Sequence, residues 1–134
     1  MIAAKNYSAL ARSFEAHDID ATQFQHPEHV QVAFELLNKY DFIDAAATYA
    51  KGIRSIAAKA GAVNKFNLTI TYAFMSLIAE RLSWAPQDDF SDFVAQNPDL
   101  MSKAVLAKWY APDRLLSETA RSVFLMPEPS ACVA

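Results

Sequence analysis

The fold is decided by residues 41–61, which read DFIDAAATYAKGIRSIAAKAG. Asp41 is a helix-capping residue type, and Asp44 follows in the first turn, where the partial positive charge of a helix end favours a carboxylate. Gly61 suits the left-handed conformation in which many helices end. Between these signals, apolar side chains recur at helical spacing. They are Phe42, Ala46, Tyr49, Ile53, Ile56, Ala57 and Ala60. The pattern predicts one long amphipathic helix.

The next helix is predicted from Lys65 or Phe66 to Ser83. Apolar residues lie almost all the way round it, and a helix of that kind is buried on several sides. Its main apolar side holds Phe66, Ile70, Ala73, Phe74, Leu77 and Ile78, and the opposite side holds Leu68, Tyr72, Met75 and Leu82. We therefore expect it to be the central helix of the fold, with the preceding helix beside it.

The remaining helices are predicted from shorter patterns. Pro27 suits the first position of a helix that ends near Tyr40, because the fixed φ of proline is preorganised for that position. Weaker signals give the other elements: a helix over 3–16, a helix from 90 to about 96, a helix opened by Asn97-Pro98-Asp99, a turn from Pro112, and a helix capped by Ser117 through about Val123. No alternating strand pattern is present.

The chain is therefore predicted to be all-α, a compact single-domain bundle of about five to seven helices. Its 134 residues are the size of one ordinary domain. Within this domain, 1–23 are interpreted as an N-terminal helix and link, 24–126 as the core, and 127–134 as a loose tail.

Composition limits the classes of partner. The formal charge is −3, and no cluster of lysine or arginine is present, so we expect neither nucleic acid nor a membrane surface as a partner. No apolar run is long enough to span a bilayer, and no signal peptide is apparent. The single cysteine, Cys132, cannot form an internal disulfide, so a cytoplasmic location is predicted.

Two of the three histidines, His26 and His29, fall at the start of the helix that Pro27 opens. The partial positive charge there favours neutral imidazole, which is the form needed by a general base or a metal ligand. We therefore predict His26 and His29 as catalytic residues or as ligands of one divalent transition metal, which would need at least a third ligand. The alternative is that His26 caps the helix and His29 fills a polar niche in the core.

A second polar motif, Lys65-Phe66-Asn67-Leu68-Thr69-Ile70-Thr71, opens the central helix. Polar groups at the start of a buried helix must find partners or line a cavity. We predict Lys65, Asn67 and Thr71 as ligand-binding residues. The alternative is that Thr69 and Thr71 donate to carbonyl groups one turn earlier.

Other polar and aromatic groups are interpreted as structural. His17, Asp18 and Asp20 are expected at a solvated helix end, because the segment lacks the glycine and terminal glutamate of a calcium-binding loop. Glu80-Arg81 is expected to form an ion pair with other helices, and Arg114 and Arg121 to bind neighbouring carbonyl groups. The aromatic residues Phe90, Phe93, Trp109 and Tyr110 are expected to form a satellite core. No phosphate-binding loop, nucleophile elbow or di-iron motif is present.

The order of these motifs resembles a small bacterial family of helical proteins that has no settled activity. The similarity runs over residues 24–128 and rests on Phe24 to Val30, Lys65 to Thr71, Asn97 to Leu100, Tyr110 to Leu115, and Arg121 to Pro127. It implies one domain with a shared polar site. Members of that family tend to have histidine where this chain has Asn67. If that histidine is a third metal ligand, the resemblance implies a weaker metal site here.

Taken together, the motifs predict a pocket lined by His26, His29, Asn67 and Thr71, with Phe34, Phe66 and Phe74 as its apolar walls. The function that follows is a cytoplasmic small-molecule-binding protein or small enzyme, with histidine as general base or metal ligand. The alternative is a non-catalytic module that binds a partner protein or forms a homodimer through an exposed apolar strip.

Overall fold

The computed structural model describes residues 7–128, and over this range the chain is all-α, as predicted. The α-helices are α1 (Ala9–Glu15), α2 (His26–Lys39), α3 (Phe42–Lys59), α4 (Leu68–Trp84), α5 (Phe90–Gln96), α6 (Pro112–Leu115) and α7 (Glu118–Ser122). Short 3-10 helices lie at Ala21–Gln23, Val63–Lys65, Pro98–Met101 and Lys103–Lys108. No helix in this part of the chain is long and apolar enough to cross a membrane.

Helix α3 follows its predicted boundaries. Asp41 caps it, since its carboxylate accepts from the amide of Asp44 at 2.9 Å. Gly61 lies just beyond the end with a φ of +68°. The inner side of α3 buries Ala45, Ala46, Tyr49, Ala50 and Gly52 against α2 and α1.

Helix α4 packs against α2, α3, α7 and the Lys103–Lys108 segment, as expected of a central helix. It begins at Leu68, so the predicted start at Lys65 or Phe66 was wrong. The reason is the side chain of Asn67, whose Oδ1 atom accepts from the amide of Ile70 at 2.9 Å and caps the helix there. Lys65 instead ends the preceding 3-10 turn.

The N-terminal helix is shorter than predicted. Ser8 caps α1, since its hydroxyl accepts from the amide of Ala11, and Tyr7 therefore lies before the helix. Residues 3–6 of the predicted helix lie outside the described range. Ser8 is itself held by the buried Glu35 of α2, which accepts from its amide at 2.6 Å and from its hydroxyl at 2.8 Å. The helix ends before His17, which has a φ of +59°.

The segment after α5 is not the single capped helix that Asn97-Pro98-Asp99 predicted. Asn97 makes no capping bond there, because its Oδ1 atom accepts from Arg81 at 2.9 Å and its Nδ2 atom donates to the carbonyl of Phe93. Arg81 also pairs with Asp99 at 2.8 Å, as the predicted role of Arg81 requires. Two consecutive 3-10 helices result, and Ser102 caps the second.

The C-terminal segment is tied to α4 by one buried hydroxyl. Thr69 donates to the carbonyl of Val123 at 2.7 Å and accepts from the amide of Leu125 at 3.1 Å, so the alternative of a bond to a carbonyl one turn earlier was wrong for Thr69. Arg114 donates to the carbonyl of Met126 at 2.7 Å, as predicted. Glu128, in the predicted tail, accepts from Ala111. The rest of that tail, with Cys132, lies outside the described residues.

Candidate functional site

A cavity of about 420 Å³ lies where the start of α2, the second half of α3 and the first half of α4 meet the Lys103–Lys108 segment. We call it the His29 cavity. Most of its lining is apolar, including Ile53, Ile56, Ala57, Ile70, Phe74 and Leu106. Its polar lining groups come from a few separate positions, which are Gln25, His26, His29, Tyr49, Lys65, Asn67, Thr71 and Lys103.

The two polar motifs meet at this cavity. His26 and His29 from the first motif and Lys65, Asn67 and Thr71 from the second all line it. Phe66 and Phe74 form part of its wall, as expected, but Phe34 does not. The ring of Phe34 instead packs on Phe90 and Phe93, with centroid distances of 5.4 and 4.9 Å, because it lies further along α2 than the cavity reaches.

His26 is the first residue of α2 and not its cap, so the capping interpretation was wrong. Gln25 is the N-cap, and its amide donates to the side chain of Glu28 at 2.8 Å. The Nε2 atom of His26 lies 3.0 Å from the carbonyl oxygen of Leu100, and its ring meets that of Phe74 edge-on. A carbonyl only accepts, so Nε2 donates the hydrogen of this bond.

His29 has no polar partner among residues 7–128. Its ring packs on Phe24 at a centroid distance of 4.5 Å, and no hydrogen bond is made by either ring nitrogen within that range. Every fully buried side-chain nitrogen or oxygen in the described range has a hydrogen-bond partner. Because the ring nitrogens of His29 have none, both must be accessible to solvent. Burial, helped by the nearby positive charges of His26 and Lys103, lowers the pKa of His29 to about 4. The ring is therefore neutral at pH 7 and open to the cavity.

Asn67 and Thr71 each hold the backbone as well as lining the cavity. Asn67 caps α4 through Oδ1 and donates from Nδ2 to the carbonyl of Leu115 at 2.6 Å. The hydroxyl of Thr71 donates to the carbonyl of Asn67 at 2.7 Å, which is the bond predicted for it. What remains for a ligand is the second N–H of Asn67 and the oxygen of Thr71 as an acceptor.

Tyr49 and Lys103 are among the lining residues that were not found from the sequence. Tyr49 was placed in the apolar stripe of α3, but within the described chain its hydroxyl has no hydrogen-bond partner and is not sealed from solvent. Burial raises the pKa of Tyr49, so the hydroxyl stays protonated at pH 7. Lys103 is exposed at the start of a 3-10 helix, and nothing in its local sequence marks it. A lone hydroxyl in an apolar helix face was the available signal for Tyr49.

The histidines provide two potential metal ligands. Over residues 7–128 no three side chains of histidine, cysteine, aspartate or glutamate lie close enough together to hold a metal ion. His17, Asp18 and Asp20 are exposed, and Asp20 caps a turn by accepting from Thr22. A histidine that donates one N–H to a carbonyl, as His26 does to Leu100, is oriented as metal-ligating histidines usually are. Metal binding by His26 and His29 stays a prediction, with further ligands needed from other groups.

Comparison with known proteins gives no relative: no family model, no curated protein and no solved structure matches the chain. The motif resemblance therefore stays a prediction. What the site can do has to be inferred from its own geometry, which combines an apolar cavity with a few polar atoms that lack protein partners.

Proposed function

We propose that this protein binds a small organic molecule in the His29 cavity. The single observation that carries the proposal is the neutral imidazole of His29, which lines a mostly apolar cavity and has no hydrogen-bond partner in residues 7–128. The ring nitrogens of His29 are open to the cavity and free to accept a hydrogen bond from a molecule that enters it. A ligand with an N–H or O–H group would supply that bond in place of water.

The size and lining of the cavity support the same proposal. Its volume of about 420 Å³ falls within the range of small-molecule sites, which are mostly apolar and contain a small number of placed polar groups. The hydroxyl of Tyr49 is a second such group, able to donate to the ligand. The second N–H of Asn67 is a third.

For His29 the better-supported role is hydrogen-bond acceptor. A general base works best when its pKa lies near the working pH, and a base with a pKa of about 4 takes protons weakly at pH 7. Glu28 raises that pKa, but its effect is smaller than the lowering by burial, His26 and Lys103. Binding is thus favoured over acid–base catalysis, and catalytic roles for His26 and His29 stay secondary predictions.

The test uses N-phenyl-1-naphthylamine, a neutral apolar fluorophore with one N–H. We expect saturable binding with an emission increase in the wild-type protein. Ala57→Trp places an indole in the cavity and should abolish binding. Its matched control is Ala58→Trp, on the exposed side of the same helix, which should bind as the wild type does. Equal binding by both variants, with circular dichroism showing intact helices, would refute the cavity as the site.

His29→Leu tests the acceptor role within the same assay. The change keeps the side chain at a similar size but removes both ring nitrogens. Loss of one hydrogen bond should weaken binding of the fluorophore by about fivefold. Unchanged affinity in His29→Leu, with affinity lost in Ala57→Trp, would mean that the cavity binds by apolar contact alone.

A second candidate, the interaction module, is favoured by large exposed apolar side chains. Ile43, Trp84, Leu116 and Met126 are each at least two-thirds exposed. Isolated exposed apolar residues are common, whereas a contiguous patch indicates an interface. Light scattering after size exclusion over a hundredfold concentration range tests for a homodimer, which would show a mass of twice 14.9 kDa or a mass that rises toward it with concentration, whereas a monomer stays at 14.9 kDa.

A further inference from the structure

Among residues 7–128, the charged side chains that line the His29 cavity are two lysines. Lys65 and Lys103 line it, both are exposed, and neither forms an ion pair within residues 7–128. No carboxylate from that range lines it. This local excess stands out because the whole chain has 15 acidic and 12 basic residues.

The two lysines come from different parts of the chain. Lys65 ends the 3-10 turn before α4, and Lys103 begins the 3-10 helix that packs on α4. Tertiary packing, and not adjacency in the sequence, therefore brings the two lysines to the cavity. The positive charge of Lys103 also reaches His29, where it contributes to the lowered pKa.

Behind the lysines the wall is hydrocarbon. Ile53, Ile56, Ile70, Ile78 and Leu106 provide aliphatic surface, and Phe74 adds an aromatic face. The burial of an apolar group there is favourable at roughly 25 cal/mol per Å². A ligand that satisfies both regions needs an apolar body and a negatively charged end.

We propose, resting on the small-molecule function above, that the ligand is an amphipathic monocarboxylic acid whose carboxylate lies between Lys65 and Lys103 and whose hydrocarbon body fills the His29 cavity. A monoanion fits better than a phosphate dianion. No arginine of residues 7–128 lines the cavity for bidentate contact with phosphate, and His29 is neutral at pH 7 and adds no positive charge. Two solvent-exposed ammonium groups match one delocalised negative charge.

The test compares decanoate with its neutral analogue decanol, each as a competitor of bound N-phenyl-1-naphthylamine. We expect decanoate to compete more strongly than decanol in the wild type. The double variant Lys65→Gln/Lys103→Gln should weaken decanoate by about tenfold and leave decanol within about twofold. Raising the salt concentration from about 0.05 to about 0.5 M should weaken decanoate alone, because salt screens exposed charges.

The matched control is Lys51→Gln/Lys108→Gln, which changes the net charge equally at two exposed lysines outside the cavity lining. It should leave decanoate affinity close to that of the wild type. Equal competition by decanol and decanoate, with no effect of the Lys65/Lys103 change, would overturn the carboxylate proposal while the cavity still binds the fluorophore. Equal loss of decanoate in both double variants would also overturn it. Failure of the fluorophore itself would overturn the small-molecule function.

Discussion

The imidazole of His26 joins the beginning of α2 to the carbonyl group of Leu100, with Nε2 and the oxygen 3.0 Å apart. The two residues are 74 positions apart in the chain, so this bond holds the Pro98–Met101 turn against α2. Leu100 is buried. Removing the imidazole therefore takes a hydrogen-bond partner from a carbonyl group that water reaches poorly.

His26→Phe should lower the free energy of unfolding by about 1–2 kcal/mol. The phenyl ring keeps the edge contact with Phe74 but cannot donate to Leu100, and an unmet buried acceptor is destabilising by that amount. Urea unfolding followed by circular dichroism measures the change. His17→Asn is the control: His17 is exposed with a left-handed φ that asparagine tolerates, and its effect should stay within about 0.5 kcal/mol. A His26→Phe protein as stable as the wild type would contradict the bond.

The titration of His29 predicts a pH-dependent part of the stability. Its pKa is about 4 when folded against 6.5 for a free histidine. The unfolded chain therefore binds more protons between those values, and stability is full above pH 6.5 and falls as the pH drops toward 4. After allowing for solvent that reaches the ring, the loss should be on the order of 2 kcal/mol.

His29→Leu isolates that contribution, because leucine does not titrate. The difference in unfolding free energy between the wild type and His29→Leu should shift against the wild type as the pH falls from about 7 to about 4. The pH-dependent contributions of carboxylates, which both proteins share, cancel in this difference in unfolding free energy. A difference that stays constant with pH would mean that His29 titrates alike in the folded and unfolded chains.

The ends of a helix could be predicted where they are set by residues adjacent in the sequence. The cap at Asp41 and the end at Gly61 are set within one turn of α3, so the sequence alone located them. The segment after Asn97 was predicted wrongly for the opposite reason. Its side chain is engaged by Arg81 from another helix, and a bond across 16 positions leaves no local pattern.

The site was predicted in part. The starts of α2 and α4 carry polar residues that a core must accommodate, and on that ground His29 and Asn67 were predicted to line one pocket. Both residues do line the His29 cavity. Phe34 was assigned to that pocket because it shares the apolar face of α2. It lies eight residues beyond His26, or about 12 Å along the axis. Lys103 was missed because tertiary packing alone brings it to the cavity.

Thr69→Val should destabilise the protein by about 2 kcal/mol and loosen the C-terminal segment. Valine has almost the same shape but neither donates to Val123 nor accepts from Leu125, which leaves two backbone groups without that partner. Limited proteolysis should cut the Val123–Glu128 region faster than in the wild type. Thr119→Val, exposed on α7, is the control. Equal cleavage rates in Thr69→Val and the control would show that the hydroxyl does not hold this segment.

Gly52→Ala should destabilise the protein although alanine is the better helix former. In an exposed helix this change is stabilising by up to about 1 kcal/mol. In α3, however, the added methyl group would overlap the ring of the buried Phe14. That ring is stacked on both Phe24, at a centroid distance of 5.7 Å, and Tyr49, at 5.9 Å, so a shift of the ring would disturb these contacts.

Overpacking of a core by one methyl group typically costs about 1–3 kcal/mol, which exceeds the gain in helix propensity. We therefore expect Gly52→Ala to lower the free energy of unfolding by about 1–2 kcal/mol. A double-mutant cycle with Phe14→Leu tests the cause, because leucine leaves room for the methyl group at position 52. In that background the same glycine change should be neutral or stabilising. An undiminished loss there would place the strain elsewhere on α3, and no loss in either background would mean that Phe14 and its two stacked neighbours shift freely.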